Sequence, residues 1–449
     1  MQETPSSQSI SPRLQRIAKL AKQAPEAALT TLAHHIDIDW MREAHRRVRK
    51  GGATGVDGQT AEQYAVQLES NLRSLLDRAK SGTYRAPPVR RVLIPKEGDD
   101  GLRPIGIPTF EDKILQRAVA MVLEAVYEQD FLDCSFGFRP RRSAHQALNV
   151  LRNELMAVEG GWVLEADIRK FFDTIDHAHL RDMLTRRVRD GVIVRLIGKW
   201  LNAGVLTEGQ LQRPEAGSPQ GGVISPLLAN IYLHEVLDKW FEREVKPRLR
   251  GRGTLVRFAD DFVMVFTLQE DARRVLDVLA KRFGKYGLTL HPDKTRLVHF
   301  RRPRKVEPRR GSDGDAQGPE SLDFLGFTHH WAKSRKGNWV VKLRTSRARI
   351  NRTLRRANDW CRRHRHQPVV WQRDRLRAAL LGHYAYFAIT GNMRCVEQVR
   401  RGVVGLWRKW LNRRSQRRCM PWQRMYRLLE RHALPWPSLM HRFTTTPNT

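Results

Sequence analysis

Cysteine is scarce in this chain: Cys134, Cys361, Cys395 and Cys419 are the only four in 449 residues, and no two form a Cys-x-x-Cys pair. That excludes a disulfide framework and a paired-cysteine zinc ribbon, and it fits a reducing compartment. Cys361, His364 and His366 stand close together, but in an Arg-rich helical stretch without a second pair of ligands, so they read as structural. Long apolar runs are also missing. None approaches the roughly 20 residues that span a bilayer, so no membrane partner is expected. Met1 to Ile10 is polar and Ser-rich and lacks the apolar core of a signal peptide, which predicts a soluble, cytoplasmic protein. Acidic residues are in deficit: 47 Asp and Glu face 81 Lys and Arg, a formal net charge of +34 with a pI near 11.0. Solubility requires far less, and such an excess points to a polyanionic partner. The surplus is uneven, because residues 301–449 hold 35 Lys and Arg against 9 Asp and Glu. Most of these bases are Arg, whose planar fork suits phosphate and base contacts.

Length and composition allow two or three domains. Residues 1–30 are weakly patterned, and a flexible start is expected. Ile36 to Lys50 reads as helix, Gly51 to Gly58 as a loop, and 60–80 as helix again, with Leu68, Leu72, Leu75 and Leu76 on one face. Pro87-Pro88 marks a boundary. Val89 to Pro108 reads as two short basic strands around a turn at Glu97 to Gly101, and Thr109-x-x-Asp112 resembles a helix-capping box. Ile114, Ala118, Val122 and Val126 then give a buried helical face. Cys134 to Ser143 interleaves aromatic residues with Arg139, Arg141 and Arg142, a mixture that can clamp a nucleic-acid strand by stacking and charge. Ser225 to Trp240 is expected as one helix, opened by the Gly217 to Gly222 loop. Arg301 to Glu320 has almost no apolar residue and is expected to be disordered. Leu322 to Phe327 reads as a strand. Beyond about Thr345 the chain is helical and basic, with Leu343, Ile350, Leu354, Ala357 and Trp360 on one face, and further helices over 370–390 and 394–415. Eight of the twelve Trp residues lie beyond 330; some must be core, and the rest are available to stack on bases.

The most informative stretch is Thr254 to Phe266. Two runs rich in β-branched and aromatic residues flank Ala259-Asp260-Asp261, which reads as a β-hairpin with the acids at its turn. Adjacent carboxylates repel each other, and a divalent cation compensates them directly; for an isolated pair, a solvated turn is the plainer reading. A second strand, Trp162 to Ala166, ends on Asp167 and runs into Phe171-Phe172-Asp173. The loop Gly217-Ser218-Pro219-Gln220-Gly221-Gly222 offers backbone N–H groups at a helix start, as phosphates require.

Taken in order, Ala166-Asp167-Ile168 with Phe171-Phe172-Asp173, Ser218 to Pro226, and Phe258-Ala259-Asp260-Asp261 resemble the reverse transcriptases encoded by group II introns, the intron-encoded maturases. The resemblance covers nearly the whole chain, from Gly55-Val56-Asp57-Gly58 to Trp407-Arg408-Lys409-Trp410-Leu411. The family more often has Tyr where Phe258 stands, a change that removes a hydroxyl but no metal ligand. The resemblance implies an α+β right-hand polymerase. Residues 1–85 would be an N-terminal extension and the start of the fingers, 86–330 the fingers and an antiparallel-sheet palm, and 331–449 a helical thumb and maturase region. Asp167, Asp260 and Asp261 would be the catalytic, metal-holding acids for two Mg²⁺ ions. Lys96, Arg103, Phe172 and Gln220 would contact the incoming nucleotide, with Phe172 beneath its sugar. Lys294 and the Leu325-Gly326 strand would support the primer end. Arg408, Lys409, Arg413 and Arg414 join Arg139, Arg141 and Arg142 as RNA-binding candidates. Expected partners are intron RNA, an RNA template with a DNA primer, dNTPs and target DNA. No appended endonuclease is expected. The alternatives are an RNA-binding splicing factor with a vestigial polymerase, and a domesticated reverse transcriptase in defence or repair.

Overall fold

Ile10, Ile17 and Ala21 are spaced seven and four residues apart, which puts them on one side of a helix. In the computed structural model all three are fully buried on α1 (Pro5–Gln23). From Pro5 on, the expectation of a flexible start is corrected, residues 1–4 lying outside the described residues: a sparse apolar stripe among Ser, Pro and Lys is enough once it packs against another helix. The structure describes residues 5–95, 101–207, 210–212, 221–303, 320–414 and 420–443. The expected disordered loop, 301–320, lies almost wholly outside them. The chain divides into two compact units, one of Met1–Ala147, Leu164–Met264 and Glu270–Arg296, the other of Leu148–Val163, Val265–Gln269 and Leu297–Thr449.

After α1, Asp37 caps α2 (Ile38–Arg47) by accepting from the Trp40 N–H at 3.0 Å. The helix expected over 60–80 is broken at Val66-Gln67 into α3 (Ala61–Ala65) and α4 (Leu68–Ser81), and Leu72 and Leu75 are buried on the latter. The two basic strands pair as anticipated, β1 (Val89–Pro95) antiparallel to β2 (Leu102–Ile107) with Ile94 opposite Arg103, while the turn expected at Glu97 to Gly101 lies, but for Gly101, outside the described residues. Thr109 accepts from the Asp112 N–H at 3.2 Å and starts α5 (Phe110–Tyr127), on which Ile114, Ala118, Val122 and Val126 are all buried. The next elements are α6 (Ala144–Ala157), β3 (Trp162–Ala166), α7 (Phe171–Thr174), α8 (His177–Thr185), α9 (Gly191–Leu201), β4 (Val205–Thr207) and β5 (Gln210–Gln212). Only α10 (Ser225–Leu233) is regular within the helix expected to Trp240. The chain continues through wider π-helical turns at His234–Asp238 and Phe241–Val245. Then come β6 (Gly253–Phe258), β7 (Asp261–Phe266), α11 (Gln269–Lys285) and β8 (Arg296–His299).

The Leu322 to Phe327 strand is likewise corrected. It is β9 (Leu322–Phe324), a turn at Leu325-Gly326, and the start of β10 (Phe327–Lys333). Leu325 and Gly326 have φ of 50° and 81°, the paired left-handed conformation of a two-residue hairpin turn. β11 (Trp339–Thr345) carries Leu343, which therefore belongs to a sheet face and not to the helical face assigned to it. The helices α12 (Arg347–Arg363), α13 (Val369–Phe387), α14 (Met393–Asn412) and α15 (Trp422–Arg431) complete the chain. Strand orders are β2-β1-β4-β5, β6-β7-β3-β8 and β11-β10-β9, an α+β arrangement.

The second unit's helices enclose Cys361, Leu380, Tyr384, Val399 and Trp407, and the Trp407 indole N–H donates to the Gln372 side-chain oxygen at 2.8 Å. The first unit's core contains a charge. Arg257, on β6, and Asp238 are both 0% exposed. The guanidinium donates to both Asp238 carboxylate oxygens at 2.7 and 2.6 Å, to Asn230 Oδ1 at 3.0 Å, to Ser135 Oγ at 2.8 Å and to the Ala259 carbonyl at 3.0 Å. All five of its N–H donors are thus engaged. Burial alone would raise the Asp238 carboxyl, but the charge of Arg257 holds it below the usual carboxylate range.

Arg257→Met strands the Asp238 charge, and the expected loss of unfolding free energy is about 3–5 kcal/mol. Adding Asp238→Leu should recover a large part of that loss. Chemical denaturation of wild type, single and double variants measures both changes; equal losses in the two variants would rule the charge pair out as the source.

Candidate active site

Asp260 sits at the tip of the β6–β7 hairpin, in the two-residue turn Ala259-Asp260. Ala259 has φ 58°, a left-handed conformation that costs a non-glycine residue about 1–3 kcal/mol and persists only when its surroundings impose it. Here they do. Arg257 grips the Ala259 carbonyl. Gly137 lies so close that a Cβ there would approach the Ala259 nitrogen to 2.4 Å, and Asn230 Nδ2 in turn donates to the Gly137 carbonyl at 2.7 Å. The turn is clamped by neighbours far away in sequence.

β3 lies next to β7 in the sheet, and Asp167 comes directly after its last residue. The Asp167 carbonyl accepts from the His291 N–H at 2.8 Å, and its carboxylate accepts from Lys294 Nζ at 2.6 Å. Burial, and after it the neighbouring charge of Asp167, raises the Asp260 carboxyl above its ordinary value; Arg103 and Lys294 pull it back only in part. The structure therefore brings Asp167, Asp260, Lys294 and Arg103 within electrostatic reach of one another. Asp261, the first residue of β7, is exposed, and among the described residues no group of three or more acidic, His or Cys side chains is arranged to hold a metal ion. Asp167 and Asp260 do fit one. They are hard oxygen donors at the ends of neighbouring strands, and the like-charge repulsion between them is what a divalent cation relieves.

Lys96 and Gln220 lie outside the described residues. Immediately after Gln220 the backbone is tightly held. Gly221 has φ 118° and packs so closely that a Cβ would meet the Gly106 carbonyl of β2 at 2.6 Å. The N–H groups of Val223 and Ile224 donate to Gln116 Oε1 at 2.8 and 3.4 Å, and Gln116 Nε2 donates to Asp112 Oδ2 at 3.2 Å. Asp112 also accepts from Tyr84 and Trp200, and burial pushes its carboxyl up to about 6. In the sequence Asp112 stands out only as a capping partner, and the capping and periodicity signals pass over Gln116, Asn230 and Arg257 altogether. A polar residue on a strongly apolar helix or strand face is the signal that finds them.

Phe171 is buried and Phe172 half-buried, the rings edge to face at 5.4 Å on α7. Leu325 and Gly326 form the β9–β10 turn, where the Leu325 carbonyl accepts from the Tyr386 hydroxyl at 2.9 Å. Arg139 is corrected as an RNA contact: its side chain is 4% exposed, paired with Glu128 and bonded to the Leu132 and Ser135 carbonyls. Arg141 is exposed, whereas Arg142 pairs with Asp133 and lies 5.5 Å from the Phe136 ring centre. In the second unit, Arg408 donates to the Met420 carbonyl and Arg414 to those of Arg365 and Gln367. Lys409 and Arg413 are exposed on either side of Trp410, 5.4 and 5.2 Å from its ring centre. No helix among the described residues is long and apolar enough to cross a membrane.

Comparison with known proteins matches residues 94–329 to the family described as Reverse transcriptase (RNA-dependent DNA polymerase). Group II intron-encoded protein LtrA of Lactococcus lactis subsp. cremoris is 39% identical over 247 residues, 53% of this chain and 40% of that protein. Protein YkfC of Escherichia coli is 35% identical over 332 residues, 65% of this chain and 85% of that protein. Nuclear intron maturase 2, mitochondrial, of Arabidopsis thaliana is 31% identical over 181 residues, 31% of this chain and 24% of that protein. The chain thus spans about two fifths of the length of LtrA.

The charge arrangement bears on stability. A carboxyl whose pKa is raised on folding stabilises the fold only below its unfolded value, and that contribution is lost as pH rises through the folded value. At pH 7 the Asp260 charge should therefore cost stability. Asp260→Asn is expected to raise Tm in chelator, and to show no Tm increase with Mg²⁺ where the wild type is expected to show one. Thermal melts with and without Mg²⁺ decide it; a variant that melts lower in chelator contradicts the electrostatic reading.

Proposed function

The chain belongs to the reverse transcriptase family, and on that premise we propose that it is an RNA-directed DNA polymerase that binds intron RNA and assists its splicing and mobility. The observation that carries this reading is the pairing of Asp167 with Asp260 at adjacent strand ends, beside Lys294 and Arg103 and within the matched residues. Two Mg²⁺ ions held by these carboxylates would activate a primer 3′-hydroxyl and stabilise the leaving pyrophosphate. Lys294 pairs with Asp167 and holds its carboxylate in place. Arg103, exposed on β2, offers a bidentate donor pair to the triphosphate, with Lys96 and Gln220 as further nucleotide contacts. The hydrogen bonds from Val223 and Ile224 to Gln116 hold the end of the loop that carries Gln220. Asp261 would serve as an exposed third acid, and Lys294, Leu325 and Gly326 would support the primer end. In this reading the β2-β1-β4-β5 sheet belongs to fingers, the β6-β7-β3-β8 sheet to a palm, and 331–449 to a thumb and maturase region. Arg141, Lys409 and Arg413 remain the candidates for gripping RNA.

Asp260→Asn should abolish RNA-templated primer extension while leaving RNA affinity nearly unchanged, because most of the basic surplus lies after residue 300. Primer extension and filter binding on one preparation test this; synthesis near the wild-type rate would refute the metal-holding role.

Phe172 is proposed to exclude ribonucleotides. Phe171 plugs the core, whereas Phe172 is half-buried and able to underlie a sugar. An aromatic face leaves no room for a 2′-hydroxyl and offers it no partner, and an unpaired buried hydroxyl costs about 1–3 kcal/mol. Phe172→Ala should therefore raise ribonucleotide use relative to deoxyribonucleotide by about tenfold or more. Phe171→Ala should cost about 3–5 kcal/mol of stability without changing sugar choice. Single-nucleotide incorporation with matched dNTP and rNTP separates the two; relaxed selection in the Phe171 variant would reverse the assignment.

A further inference from the structure

The second unit contains a cavity of about 380 Å³, within the size range of small-ligand pockets. Trp360 on α12 and Leu380 on α13 form part of its wall. Trp360 is held rigidly, stacked on His364 at 4.8 Å and on Trp371 at 5.6 Å between ring centres. Arg356 and Arg375, both exposed, line the same cavity from the two helices. His383 also lines it, and burial pushes its imidazole down to about 4, so the ring adds no charge to the wall at physiological pH.

We propose that this cavity receives a single unstacked nucleobase of a bound RNA, with Trp360 as a stacking surface, His383 as an uncharged part of the wall, and Arg356 and Arg375 meeting its flanking phosphates. The inference rests on the proposed RNA binding and adds a site to it. Charge complementarity selects the occupant. A buried apolar side chain from a protein partner would fill the cavity but bring no negative charge to its cationic rim, whereas a nucleotide brings both a flat ring and phosphates. Single-stranded and bulged nucleotides are the ones free to enter, since a paired base keeps its edge engaged and its faces stacked.

The test compares binding of the full chain to an RNA duplex with one bulged adenosine and to the same duplex fully paired. Wild type should prefer the bulged duplex by about tenfold, the scale of one base–aromatic stack. Ala379 lines the cavity yet is exposed, so Ala379→Leu narrows the opening without disturbing packed core. That variant should lose the preference while keeping wild-type affinity for the paired duplex and wild-type primer extension. Equal affinity of wild type for the two duplexes overturns the cavity assignment and leaves RNA binding standing. A preference that survives in Ala379→Leu also overturns it and places the contacts to the bulged base elsewhere on the chain. Failure to bind either duplex overturns the proposed RNA binding along with it.

Discussion

A guanidinium sealed away from water sets the geometry of the first unit's acidic site. Burying a charge costs several kcal/mol unless a partner charge and a full set of hydrogen bonds compensate it. Arg257 meets that demand only when Asp238, Asn230, Ser135 and the Ala259 carbonyl all stand where its planar fork points. Slippage of any one leaves a buried donor unpaired. The constraint reaches Asp260 through one peptide bond: Ala259 is held left-handed, so the carboxylate after it leaves the turn in one direction. The strain at Ala259 and the rigidity of the core charge are two sides of the same arrangement.

The site itself runs short of positive charge. Lys294 neutralises Asp167 from outside, with its own side chain 61% exposed, and it can move without disturbing packing. Asp260 has no such ion-pair partner among the described residues, and burial, followed by the charge of Asp167, raises its carboxyl above the ordinary value. A pair of acids in which one carries a mobile lysine and the other is only partly compensated is poor for stability in isolation. In the proposed function the pair would exchange lysine for a divalent cation, which would bring two charges to a place where protein supplies only part of one. The stability forgone at Asp260 and the chemistry proposed there have a common electrostatic origin.

The hairpin and Asp260 at its turn are legible in the sequence because strand-type runs on both sides leave only the turn for it, although Asp261, expected there too, is the first residue of β7. The face of α5 is equally plain, since Ile114, Ala118, Val122 and Val126 keep helical spacing without interruption. The features that stay hidden depend on pairing across distance. The α1 stripe is too sparse to stand out until α5 covers it. The Leu325-Gly326 turn is concealed because leucine rarely takes a positive φ. Arg257 looks like a solvent-facing strand residue, since nothing local reveals an aspartate 19 positions earlier waiting beneath it.

Arginine counting misleads for the same reason. The basic surplus after residue 300 locates a polyanion partner in general terms, but an arginine with five donors is also the best side chain for tying off main-chain carbonyls. Arg139, Arg408 and Arg414 do this, bonding to carbonyls at loop and helix ends and fixing the backbone there. Lys409 and Arg413 do not; they flank the ring of Trp410 and face solvent. Arg356 and Arg375 are exposed beside an aromatic-walled cavity. Arg375, Lys409 and Arg413 are set against aromatic rings, and in the proposed function it is this pairing of charge with ring, more than the surplus itself, that would distinguish a surface for nucleotides from one that is merely basic.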